Sequence, residues 1–222
     1  MSLEKIHLRK LLQLFYLPTA RRTSALRRDI VTDIRRERRE DDGGGDFHGP
    51  FWTDAKTHVA GDVDLRAKAG VRIESNKSRA RLYPLLTDGF LQWWNEKRRW
   101  RNEAFEFVPE TVKAQFRIDE VGGVIKVENL LALKVGDQSN RIIYPYFSEE
   151  PPLPDEGGRI GLWLLAEALP EYTPEDLRIL DILRSKSHAT MDDPPQGNER
   201  NLFVMKYKSV LDEWKRLKSE YE

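Results

Sequence analysis

The chain reads as an α+β protein: an antiparallel β-meander with a helical crossover to a further strand, flanked by helices and preceded by a helical N-terminal region. Three observations predict it. Apolar residues recur every three or four positions before residue 101 and after residue 158. Strict alternation of apolar and polar residues replaces that period between 112 and 147. Another apolar strand pattern, 177–183, then lies between two helical ones, which is the order of a crossover connection.

Taken in order, residues 3–16 form a helix, with Leu8, Leu11, Leu12 and Phe15 at i, i+3, i+4, i+7. Pro18 cannot continue it. A second helix runs to about residue 39, with Leu26, Ile30 and Ile34 as a narrow apolar stripe among eight arginines. Asp41, Asp42 and Gly43 to Gly45 stop it, because glycine leaves the backbone maximal freedom. This stop divides the chain into a basic helical region, 1–42, and an α+β domain, 47–222. Residues 47–61 look loop-rich because of Pro50, and 63–73 form a short helix.

A strong helix spans 78–101, with Leu82, Leu86, Phe90, Trp93, Lys97 and Trp100 on one stripe; Pro84 marks a kink or a later start. A half-buried strand follows at 112–118, where Val112, Ala114, Phe116 and Ile118 alternate with polar residues. Gly122-Gly123 turns the chain into a long strand, 124–135, which bends at Glu128-Asn129. The strand 141–147 contains Pro145, which lacks a ladder N–H and favours an edge or a bulge. The helix 158–169 is almost entirely apolar and therefore covered on most sides. Strand 177–183 is built of Leu and Ile apart from Arg178 and Asp181, so Asp181 needs a partner such as Arg159 or Lys134. The last helix, 198–221, carries Phe203, Tyr207, Val210, Trp214, Leu217 and Tyr221 on one seam.

This succession of helix, three-strand meander, helix and strand, over residues 78–183, resembles the core of the restriction-endonuclease-like (PD-(D/E)xK) nuclease superfamily. The resemblance rests on element order. It implies an Asp on the second core strand and an acid, one residue, then Lys on the third; the carboxylates hold divalent metal and the Lys orients water. This chain departs from that pattern. Asp119 ends the first meander strand, and Lys126-Val127-Glu128 reverses the acid and the base, so the corresponding catalytic set is a displaced one of Asp119, Glu128 and Lys126. Mg or Mn is implied only in that nuclease reading; otherwise no cofactor is expected.

Composition narrows the remaining classes. Of 222 residues, 37 are Lys or Arg and 37 Asp or Glu, with no cysteine. Disulfides, thiolate metal sites and a cysteine nucleophile are thereby excluded, and a reducing, cytoplasmic setting is expected. No run approaches the length of a membrane span. The zero net charge conceals a polarity: residues 1–101 carry +8 and residues 102–222 carry −8. A basic half suits DNA, RNA or an acidic protein partner, and equally an attraction between the two halves. Arg21, Arg22, Arg27, Arg28, Arg35, Arg36, Arg98 and Arg99 are the candidate phosphate contacts, the last two because Trp93, Trp94 and Trp100 interleave with cations. His48, Asp54 and His58, with Asp62 or Asp64, are the weaker metal candidates. His7 and His188 stand alone, Ser24, Ser185 and Ser187 lie in no nucleophile elbow, and no phosphate-binding glycine loop is present. The expected role is a non-catalytic nucleic-acid-associated or protein-interaction protein. A nuclease with a displaced motif and a structural subunit are the alternatives.

Overall fold

The computed structural model describes residues 3–37, 46–98, 102–136 and 139–221, and it is α+β. Its elements are β1 (Lys5–His7), α1 (Leu8–Tyr16), α2 (Thr19–Glu37), α3 (Gly49–Val59), α4 (Leu65–Ser75), α5 (Leu82–Gln92), β2 (Phe105–Val108), β3 (Ala114–Ile118), β4 (Gly123–Val127), β5 (Leu131–Val135), β6 (Ser139–Tyr146), α6 (Asp155–Ala168), β7 (Leu177–Asp181), β8 (Lys186–His188) and α7 (Glu199–Lys218).

The strands form two sheets. One has the order β2-β5-β6-β7-β8, all neighbours antiparallel except β6 and β7, which are parallel and joined through α6. The other has the order β1-β4-β3. The expected meander is therefore split, because the predicted strand 124–135 is two strands in two sheets. Asn129 breaks it: its φ of 64° is left-handed, and an Asn tolerates that conformation better than most residues. Alternation of apolar residues continues across the break, so the division leaves no trace in the pattern.

Two apolar clusters lie on opposite faces of the larger sheet. Ile142, Tyr144, Leu177 and Ile179 belong to one, with α1, α2, α6 and α7; Leu131, Leu133, Ile143, Leu180 and Ile182 belong to the other, with α3, α4 and α5. Alternate residues of β6 and β7 thus point into both, which is why the strand around Asp181 reads as continuously apolar. Pro145 is not on an edge strand. Its position is nevertheless edge-like, since β5 begins at Leu131 opposite Ile143 and leaves Pro145 paired with β7 alone.

The N-terminal region packs on the domain. β1 pairs in parallel with β4, Leu8, Leu11, Leu12 and Leu14 are fully buried, and Tyr207 donates its hydroxyl proton to the Leu3 carbonyl. The Arg9 amide also reaches the Tyr144 hydroxyl at 3.0 Å. The two regions share one core, so the expected boundary at 42/47 separates no independent unit; the residues at the boundary itself lie outside those described. Residues 49–59, expected as loop, are α3. Pro50 stands in its first turn, where the missing N–H has no helical partner to lose. The helix expected over 78–101 begins at Leu82, which puts Pro84 in its first turn, and runs on into a π-helical turn over Trp93–Lys97.

Candidate nucleic-acid interface

The π-turn is the structural basis of a cationic cleft. α5 lies directly against the turn between β7 and β8, and only glycine permits the approach: a Cβ on Gly89 would fall 2.1 Å from the Ile182 carbonyl oxygen. Ser185, at a left-handed φ of 50°, donates from Oγ to the Gly89 carbonyl at 2.8 Å. Beyond this clasp, the wider π-turn and the edge strand β8 stand apart and leave a cavity of about 450 Å³. Lys97, Arg98, Arg178, Arg184 and Lys186 line it, with Asp192 as the single carboxylate.

These cations are oriented by the fold. Arg178 donates to the carbonyls of Glu175 and Leu177, at 2.5 and 2.7 Å. Arg184 donates to the carbonyls of Ser148 and Glu149 and lies 3.5 Å from Asp181. The Arg98 guanidinium sits 3.6 Å above the Trp94 ring and 5.5 Å from Phe105, and burial draws its pKa below the ordinary arginine value. Trp93 lines the cavity but is 2% exposed and belongs to the core behind it.

The arginines of α2 are placed differently from the expectation that they exceed their partners. Arg22 donates to Glu213 at 2.7 Å, Arg27 to Glu220 at 2.9 Å, and Arg21 pairs with Glu150. Two of these acids belong to α7 or follow it, so part of the charge polarity is an internal attraction. Arg28 and Arg35 are exposed and form no ion pair among the described residues. The side chains of Arg36 and Arg99 lie outside the described residues. A second cavity, of about 700 Å³ at the end of β6, includes Lys10, Arg21, Arg28 and Arg81, but also Glu149 and Glu150. There Arg81 pairs with Glu149, Arg21 with Glu150, and Lys10 with Asp29 at 3.0 Å, so opposite charges largely cancel.

The displaced nuclease set does not assemble. Asp119 follows Ile118, which pairs with Gly123 at the start of β4, whereas Glu128 lies one residue past its end. At roughly 3.3 Å per residue, the strand separates them by about 13 Å or more. Asp119 is held by Arg117 at 2.8 Å, and Glu128 lies 3.8 Å from His7. Lys126 is flanked in register by Gln115 and His7. His48, Asp54 and His58 do not form a metal site either. His48 stacks on Phe147 at 4.8 Å, and burial pushes its pKa down to about 4. Asp54 takes both N–H bonds of Arg72, at 2.9 and 3.0 Å. His58 meets the Val63 carbonyl at 2.9 Å, and Asp64 caps α4.

A different set comes together instead. Among the described residues, Asp155, His188 and Asp193 bring one potential ligand atom each within 4.8 Å of one another. His188 is fully buried and packs so closely on α6 that a Cβ on Gly158 would lie 2.3 Å from its Nδ1. That nitrogen donates to Asp193 at 2.7 Å, and Lys186 Nζ lies 2.5 Å from Asp155. An ammonium and an N–H proton thus already meet the carboxylates, and the set fits an internal ion-pair network better than a resident metal. Sequence reasoning passed over His188, because nothing in its spacing connects it with Asp155. The cleft cations Arg178, Arg184 and Lys186 were missed for the same reason: only the turn between β7 and β8 assembles them, whereas the interleaved aromatics signalled Arg98.

No helix among the described residues is long and apolar enough to cross a membrane. Comparison of the chain with protein-family models, with curated proteins and with solved structures finds no match.

Proposed function

We propose that this is a non-catalytic nucleic-acid-associated protein that holds phosphates in the cleft between the π-turn and β8. The observation that carries the reading is five cations lining a single cavity with Asp192 as the one lining carboxylate, two of them, Arg184 and Lys186, also meeting Asp181 and Asp155 behind the wall. Neutralising phosphates releases condensed counterions, which drives binding irrespective of sequence. Lys97, Arg98, Arg178, Arg184 and Lys186 are the proposed contacts, and Arg28 and Arg35 add open charge on α2.

Binding rather than cutting is favoured by what the sheet lacks. The strands 112–118, 124–135 and 141–147, on which the resemblance to the restriction-endonuclease-like superfamily rests, are divided between two sheets, and only the crossover from β6 through α6 to β7 keeps its expected place. In the larger sheet β5 is Leu-Ala-Leu-Lys-Val and β6 is Ser-Asn-Arg-Ile-Ile-Tyr-Pro-Tyr, with no carboxylate on either. Metal-assisted hydrolysis needs such groups to hold its cation. The test is to incubate the protein with labelled DNA and RNA, with and without Mg²⁺ or Mn²⁺. Metal-independent binding that leaves the strands intact is expected. Cleavage that requires metal would instead establish the nuclease alternative, and absence of both activities would leave a structural subunit.

A further inference from the structure

We infer that the cleft takes a terminal phosphate, the phosphomonoester at the end of a strand or on a free nucleotide, and that Ser187 donates to it; the inference rests on the phosphate-binding reading above. The parity of β8 places the serine. Lys186 reaches Asp155 of α6, and His188 packs against Gly158 of the same helix. Successive side chains of a strand point to opposite faces, so Ser187 points the other way, towards α5 and the π-turn. It stands opposite Leu180 of β7, which belongs to the apolar cluster under α5, and Arg178, two residues before Leu180, shares that face. Ser187 and Arg178 thus belong to one wall of the cavity, and Lys97, on the π-turn, belongs to the other.

Both walls carry open donors. The Ser187 hydroxyl makes no hydrogen bond among the described residues, whereas that of Ser185 is taken up by Gly89 and Gln92. Lys97 is exposed and forms no ion pair among the described residues. The shape of the space then selects the kind of phosphate. One end is closed by the approach of Gly89 to Ile182, and the floor is the buried Trp93. Its volume of about 450 Å³ is that of a small-molecule site rather than of a track along a strand. α2, with Arg28 and Arg35, packs on the opposite face of the larger sheet and does not prolong it. A phosphodiester would have to enter and leave such a space, and it brings a single charge. A terminal phosphate enters end-on, with about 1.5 to 2 negative charges at pH 7 and three acceptor oxygens at one point. A hydroxyl and an ammonium facing each other across the cavity suit that anion, because hydrogen bonds to an ionised acceptor are the stronger kind.

The experiment measures, by anisotropy on the full chain at one salt concentration, a six-nucleotide oligothymidylate labelled at its 3′ end and carrying either a 5′-phosphate or a 5′-hydroxyl. The phosphorylated form should bind about tenfold more tightly. In variants the quantity read is the ratio of these two affinities, in which a general change of stability or charge cancels. Ser187→Ala should lower the ratio to about threefold or less, and Ser187→Thr, which keeps the hydroxyl on a side chain suited to a strand, should retain it. Thymidine 5′-monophosphate as competitor separates the two sources of the group: displacement near the oligomer's own concentration range assigns the site to free nucleotides, and failure to displace assigns it to strand ends, the inference holding in either case. Equal binding of the two oligomers overturns the inference and leaves the phosphate site standing, as does a Ser187→Ala protein with the wild-type ratio. No binding of either form overturns the site itself.

Discussion

Asp181 shows how one side chain is governed by its surroundings. It is 1% exposed, accepts the Leu153 amide at 3.0 Å and faces Arg184 at 3.5 Å. Its partner is neither Arg159, which binds Glu199 at 3.0 Å, nor the exposed Lys134, but the arginine three residues on. Burial pushes its pKa up, and the Leu153 amide and Arg184 offset part of that rise. A carboxyl group whose folded-state pKa is raised binds protons more tightly in the folded chain, so its contribution favours folding below the unfolded-state value and declines as pH rises through the folded-state value. The stability of the wild type relative to Asp181→Asn should therefore increase on acidification from pH 6 to pH 4. Chemical denaturation of both proteins across that range measures it; a flat or opposite trend contradicts the assignment. Trp93 is a second case, since its ring belongs to the core as well as to the cleft wall. Trp93→Ala should cost on the order of 3 to 5 kcal/mol by emptying a core site. A variant of wild-type stability with binding selectively lost would make Trp93 a stacking platform instead.

At the scale of elements, the pairing of α2 with α7 converts the charge polarity of the chain into packing. The Arg22–Glu213 contact is the more sheltered, with the two side chains 19% and 10% exposed, and Thr23 donates to the same carboxylate at 2.5 Å. Arg27–Glu220 is solvent-exposed on both sides and contributes about 0 to 1 kcal/mol at most. Glu213→Gln should accordingly destabilise the protein by about 1 to 3 kcal/mol, and Glu220→Gln hardly at all. Urea unfolding of the two variants decides this, and equal losses would show that burial does not rank the pairs. The elements that periodicity announced were the longer ones: α2, α6, α7 and the stripe of α5. β1, β2 and β8 have three or four residues each, too few for alternation to register. β1 was absorbed into the first helix because Leu8 and Leu11 set a helical spacing that Ile6 alone could not contest. β4 and β5 were fused because a single left-handed Asn, rather than any change of pattern, sends them to different sheets.

For the whole molecule, the α+β class, the crossover through α6 and the burial of β7 on both faces were legible, because each rests on hydrophobic patterning over many residues. The proposed cleft was legible only at Lys97 and Arg98, where cations and aromatics are neighbours in sequence. Arg178, Arg184 and Lys186 reach that surface through the β7–β8 turn, and the close approach at Gly89 sets the opposite wall, contacts that no spacing along the chain encodes. The α2 arginines had the strongest sequence signal, yet three of them are engaged by acids distant in sequence, so charge density along a helix overstated what that helix offers a partner. Phosphate affinity is therefore proposed to lie in the cleft, and the salt dependence of nucleic-acid binding tests this most directly. Plotting log affinity against log salt for the wild type and for Lys97→Gln/Lys186→Gln should give a steep negative slope that becomes shallower by roughly 1 to 2 in the double variant. An unchanged slope, or no binding at low salt, would contradict it.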